Sequence, residues 1–97
     1  MVLEIAEFAI TPGREDDFVA AFERAVPLLR ATDGFRAARL TRGVESPSSF
    51  VLLVEWDSLE AHTQGFRESE RFGAWRELVG PFFATDPRVR HTVQIYP

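Results

Sequence analysis

Phe50-Val51-Leu52-Leu53-Val54-Glu55-Trp56, followed without a break by Asp57-Ser58-Leu59-Glu60-Ala61-His62, decides the architecture of this chain. Five consecutive apolar residues, Phe50 to Val54, read as a strand covered on both faces and therefore central in its sheet. The strand ends on an indole and turns at once into a helix, for which Asp57 and Glu60 have the spacing of a capping box. His62 lies three residues after Leu59 and four before Phe66, so the three share a helix face and the imidazole is expected to turn inward with them.

Outward from this stretch the same alternation of elements continues. Val2 to Ile10 is rich in apolar and β-branched residues and predicts a first strand, ended by Thr11-Pro12-Gly13. Thr11 is expected to cap the following helix with Pro12 at its first position, and Glu15-Asp16-Asp17 suit the positive end of the helix dipole. Phe18, Ala21, Phe22, Ala25, Leu28 and Leu29 form a helical stripe; Pro27 lies within it and should loosen the last turn, because it has no N–H to offer Glu23. After Asp33-Gly34, residues 35–42 predict a second strand, polar enough for a sheet edge, and 43–49 the loop of a hairpin. The second helix should break near Gly65 to Ser69, resume with Phe72, Trp75, Leu78 and Val79 on one face, and stop at Gly80-Pro81 with Phe82-Phe83 beneath it. Val89, His91, Val93 and Ile95 alternate with polar residues, which predicts a last strand over 88–96.

The order βαββαβ predicts an α+β, ferredoxin-like single domain over residues 1–97: a four-stranded antiparallel sheet with both helices on one face and the first and third strands central. Two helices cover only one face, yet Leu3 and Ile5 point away from Ala6, Phe8 and Ile10, and the third strand is apolar on both sides. An apolar sheet face open to water is unusual on a soluble monomer, so a homodimer packed sheet to sheet is expected.

Composition narrows the chemistry. The 97 residues carry a formal net charge of −4, with the arginines scattered among carboxylates and no lysine, so nucleic acid is not an expected partner. The absence of cysteine excludes disulfides, thiolate nucleophiles and Cys-based metal sites. Met1-Val2-Leu3-Glu4 does not read as a signal peptide, and no apolar run approaches the ~20 residues of a membrane span, so a cytoplasmic location is expected. Two histidines on separate elements do not suggest a metal site, and no nucleotide-binding glycine loop occurs; no cofactor is expected.

Nine phenylalanines promise an aromatic interior, and a titratable group aimed into one is what a small-molecule pocket needs. His62 is the candidate proton acceptor, with the structural alternative of a half-buried imidazole bonded to a backbone carbonyl. Trp56 closes the neighbouring strand and is the candidate wall of the same cavity, or else a core anchor. Arg67 and Arg76 flank the aromatic positions of the second helix and can meet a ligand anion. His91 is expected to form a hydrogen bond across the dimer interface. Glu4, Glu7 and Glu55 interrupt apolar strands and are expected to pair with Arg39, Arg42 or Arg90.

The chain resembles the antibiotic biosynthesis monooxygenase family of dimeric α+β barrels. The resemblance rests on Pro12-Gly13, the Phe18/Phe22 helix and Asp33-Gly34-Phe35. It continues through Val54-Glu55-Trp56, Glu60-Ala61-His62, Phe66-Arg67, Ser69, Phe72 and Trp75-Arg76, and ends with Pro87 and Val89…His91. It implies a cofactor-independent oxygenase, in which a deprotonated aromatic or polyphenolic substrate reduces O2 itself to give a quinone. On that resemblance His62 is the base, Trp56, Phe66, Phe72 and Trp75 contact the substrate, and Arg67 is an anion partner. Haem-degrading members combine an Asn on the first strand with a Trp and a helical His; the first strand here has no Asn. Two other functions fit the same residues: a non-catalytic dimeric module that binds a hydrophobic metabolite or supports another enzyme, and an isomerase using His62 for proton transfer without oxygen.

Overall fold

Strand β1 (Val2–Ala9) runs between β3 (Ser49–Trp56) and β4 (Arg88–Thr92), with β2 (Phe35–Arg42) on the far side of β3, giving the antiparallel order β2-β3-β1-β4 in the computed structural model, which describes residues 1–97. The two most apolar strands are thus central. Helix α1 (Glu15–Arg30) and helix α2 (Glu70–Val79) pack on each other and on one face of this sheet, the ferredoxin-like arrangement.

Alternation decides which side chains reach that covered face. Glu4, Ala6, Phe8 and Ile10 are buried in the first strand, and Phe50, Leu52, Val54 and Trp56 in the third. Phe18 of α1 packs edge-on between Phe8 and Phe50, at 5.8 and 5.0 Å between ring centres, and Phe83 stacks on Phe8 at 5.0 Å. The opposite face presents Leu3, Ile5, Val51 and Leu53 at its centre, only partly buried within this chain. Arg90 crosses that face to bond the Glu7 carboxylate at 2.7 Å, one of the expected pairings.

Local chemistry shifts several boundaries. Thr11 does not cap α1: its carbonyl accepts the Arg14 N–H to close a turn over Pro12 and Gly13, and the helix starts at Glu15. Glu15 instead accepts the Gly13 N–H and the Ser48 hydroxyl, tying the helix start to the β2–β3 loop. Pro27 sits on the exposed side and α1 continues to Arg30, so the missing N–H costs one bond rather than the turn. The cap before the second helical region comes from Ser58, whose hydroxyl accepts the Ala61 N–H, while Asp57 faces Arg36 at 3.5 Å. Strand β4 stops at Thr92, opposite Leu3 and one residue short of the start of its only partner, β1; Val93 and Ile95 are exposed instead of alternating in a strand.

The first part of the second helical region is a π-helical segment, Ala61–Phe66, sealed by the Arg67 N–H to the His62 carbonyl at 3.0 Å, and the expected break follows it at residues 67–69, before α2. The widened turn keeps His62 and Phe66 buried but leaves Leu59 exposed, so the three do not share a face. Arg71 holds this segment against the end of α1, donating to the Thr32 hydroxyl and the Gly65 carbonyl. Gly34, at φ +90°, brings the start of β2 past the same segment: a Cβ there would lie 2.6 Å from that of Ala61. Gly34→Ala therefore combines backbone strain with a clash. It is expected to lower stability by more than about 1 kcal/mol in urea unfolding; a loss within the ~0.5 kcal/mol of an ordinary surface change would contradict this placement.

Candidate functional site

Strand register builds the site. Glu4 stands opposite His91 in the β1–β4 ladder, and both side chains turn to the helix-covered face, where Trp56 arrives from the end of β3. The Trp56 indole N–H donates to Glu4 Oε1 at 2.9 Å. His62 Nε2 lies 3.3 Å from the same oxygen, and its ring stacks on the indole at 5.3 Å with 18° between planes. On its other edge His62 Nδ1 meets His91 Nε2 at 2.7 Å. Glu4, Trp56 and His62 are almost fully withdrawn from solvent. His91 therefore bonds within its own chain, not across a sheet-to-sheet interface, because its position in the ladder places it on the helix side.

Burial shapes the charges. It pushes the Glu4 carboxyl up to about 7, against the opposing pull of the Trp56 hydrogen bond and the Arg67 charge. It pushes His62 down to about 4, helped by the positive Arg67 and by His91. His91 is lowered too, by burial and then by Arg67. Near neutrality both imidazoles are uncharged and Glu4 is the group poised to titrate. Two histidines and a carboxylate invite a metal reading, but His62 offers opposite ring nitrogens to its two neighbours, so the three donors form a line and do not converge on a point.

Beside this line opens a cavity of about 510 Å3 between the sheet and α2. His62, Phe66, Arg67, Phe72 and Trp75 all border it, as does Glu4, while Phe8, Leu52 and Val89 form its floor and Arg76 and Asp86 stand at exposed positions on its border. Trp56, expected in the wall, does not border the cavity; it lies behind His62 and Glu4, fully buried, and fixes their geometry. Glu4 is the residue that sequence reasoning misplaced. No arginine pairs with it; its neighbours are an indole N–H and an imidazole. A carboxylate at a position alternating with Ala6, Phe8 and Ile10 was the available signal, since that periodicity already turns it into the core.

The model of the antibiotic biosynthesis monooxygenase family matches residues 1–78, and the chain belongs to that family. It is 37% identical over 91 residues to YczJ of Bacillus subtilis (strain 168), covering 94% of this chain and 96% of that one. A crystal structure from Bordetella bronchiseptica, assigned to the same family, superposes with a TM-score of 0.95 at 38% identity, covering 98% of this chain and 97% of that one. A variant of SnoaB, described as a cofactor-independent oxygenase from Streptomyces nogalater, shares the fold at TM-score 0.84 and 16% identity, covering 99% and 94% of the two chains.

The raised Glu4 pKa has a cost that depends on pH. The folded state holds this proton more tightly than the unfolded chain, so the stability it contributes is present at low pH and lost as pH rises from about 4.5 to about 7. The lowered His62 acts in the opposite sense, with stability lost as pH falls from 6.5 to about 4. Glu4→Gln keeps an oxygen for the indole and removes only the first effect. Its stability relative to the native protein should therefore grow between pH 4.5 and pH 8, by on the order of 2 kcal/mol, in urea unfolding at the two pH values. A difference that does not vary with pH would contradict this assignment.

Proposed function

We propose that this chain is a cofactor-independent monooxygenase that converts a small aromatic or polyphenolic substrate to a quinone. The observation that carries the reading is a buried proton-accepting line of Glu4, His62 and His91 on the wall of an aromatic cavity. A hydroquinone-like or anthrone-like ring, once it gives up a proton there, becomes electron-rich enough to reduce O2. The ring carbon and oxygen then join as a peroxide, which loses water; overall an anthrone CH2 and O2 become C=O and H2O, and a hydroquinone and O2 become a hydroxyquinone and H2O. His62 belongs to the machinery that accepts the proton, Phe66, Phe72 and Trp75 hold the ring, and Arg67 faces the anion that forms. A dry, apolar cavity favours that step by keeping the anion beside fixed charges rather than water. The description of SnoaB as a cofactor-independent oxygenase supports the same chemistry on this fold.

In this reading residues 1–97 act as one domain in the cytoplasm, as a homodimer joined through the face centred on Leu3, Ile5, Val51 and Leu53. No helix is long and apolar enough to cross a membrane. Leu53→Arg, at the centre of that face, should convert a dimer into an 11.0 kDa monomer in size-exclusion chromatography with light scattering; a native protein that already elutes as the monomer would remove the dimer.

Oxygen uptake with a panel of hydroquinones and anthrones tests the reaction. One O2 per quinone is expected, with His62→Ala slower by about 100-fold or more. No uptake by the native protein with any member, or product formed equally well without air, would overturn the oxygenase in favour of a binding module or an isomerase.

A further inference from the structure

We propose that Glu4 is the general base of this site, and that His62 and His91 form a tautomeric relay which positions its carboxylate and lets a single proton reach it from either end. The proposal rests on the oxygenase reading for its substrate, but its physical basis is the geometry of the line alone.

Both ring nitrogens of His62 have a polar neighbour: Nδ1 is hydrogen-bonded to His91 Nε2 at 2.7 Å, and Nε2 lies 3.3 Å from Glu4 Oε1. A neutral imidazole has one N–H and one lone pair, and the 2.7 Å His–His contact needs one proton between the rings. Two arrangements place one proton in each contact of the line and none on the second Glu4 oxygen. With Glu4 ionised, His62 carries its proton on Nε2, facing the carboxylate, and His91 donates from its own Nε2. With Glu4 protonated, the carboxyl proton faces His62 Nε2, His62 donates from Nδ1, and His91 carries its proton on Nδ1. The two arrangements differ by one proton, and passing between them switches both histidine tautomers.

A proton that enters at His91 Nδ1 is delivered to Glu4 Oε1 by successive N–H shifts; one that enters at the second Glu4 oxygen, which has no donor from the protein, reaches the Oε1 position when the carboxyl turns over. In neither case does an imidazolium persist. His62 alone is a poor base here: taking a proton would make it a buried cation beside Arg67. Glu4 borders the cavity directly, and protonating it removes a buried charge. When a neutral phenol or anthrone gives its proton to ionised Glu4, the negative charge moves from the carboxylate to the substrate. The number of buried charges is unchanged, and Arg67 remains available to the new anion. The charged and titratable groups sharing this space are His62, His91, Arg67, Arg76 and Asp86, the last three at exposed positions.

The histidine ring nitrogens of the 15N-labelled native protein, followed by NMR from pH 5 to pH 9 without substrate, test the relay. His62 is expected to pass from the Nδ1–H to the Nε2–H tautomer in a single step near pH 7, with His91 changing at the same midpoint. A His62 tautomer constant across this range overturns the proposal, whether or not any substrate is ever turned over. For the base itself, Glu4→Gln should reduce turnover by about 100-fold or more and abolish the rise of kcat/KM with pH, while the affinity for 1,4-naphthoquinone, read by tryptophan quenching, is unchanged. Glu4→Asp should restore part of the rate with its pH dependence. Turnover by Glu4→Gln at the native rate would overturn the assignment. Oxygen uptake by no variant and not by the native protein would instead count against the oxygenase reading, leaving the tautomer measurement to decide the relay.

Discussion

A carboxyl group buried in a central strand is the constraint around which this molecule is arranged. Glu4 is almost fully withdrawn from solvent and has no arginine bonded to it, only an indole N–H at 2.9 Å and an imidazole nitrogen at 3.3 Å. Left unpaired, such a group would cost several kcal/mol. The elements that supply its partners are therefore held with unusual economy. Trp56 closes β3, His91 is the ladder partner of Glu4 in β4, and His62 comes from the first turns after β3. Fold and site are the same set of contacts seen from two sides.

The π-helical segment follows from that requirement. An α-helical continuation from Ser58 would place Leu59, His62 and Phe66 on one stripe; the wider turn separates them, burying the imidazole against the indole while Leu59 goes to solvent. Arg71, through Thr32 and Gly65, fixes the far end of the segment, and Gly34 allows β2 to start close to Ala61. Single π turns concentrate where a side chain must be aimed, and here the aimed side chain is the middle member of a three-residue proton path.

Most of the fold could be read from the chain because it is written in short-range pattern. The apolar run Phe50–Val54 announces a central strand, and the stripe from Phe18 to Leu29 announces a helix with a buried face. What escaped depends on three dimensions. β4 ends at Thr92, close to the start of its only partner, β1, although the alternation continues through Val93 and Ile95. The cap by Ser58 in place of the Asp57–Glu60 pair, and the exposed Leu59, both follow from a helix type that residue spacing does not encode. Of the site, the aromatic residues and His62 were legible from helical spacing. Glu4 and His91 were visible as anomalies in their strands, but their partners were not, because strand pairing brings together residues 87 positions apart in a chain where many arginines were available as alternatives.

The ionisation of Glu4 is the point at which packing, electrostatics and chemistry meet, and it can be read directly. The carboxyl carbon of Glu4, labelled with 13C and followed by NMR against pH, should titrate with a midpoint of about 7. A midpoint near 4.5, the value of a glutamate in water, would mean that the carboxyl is solvated and that the buried line described here does not govern the site.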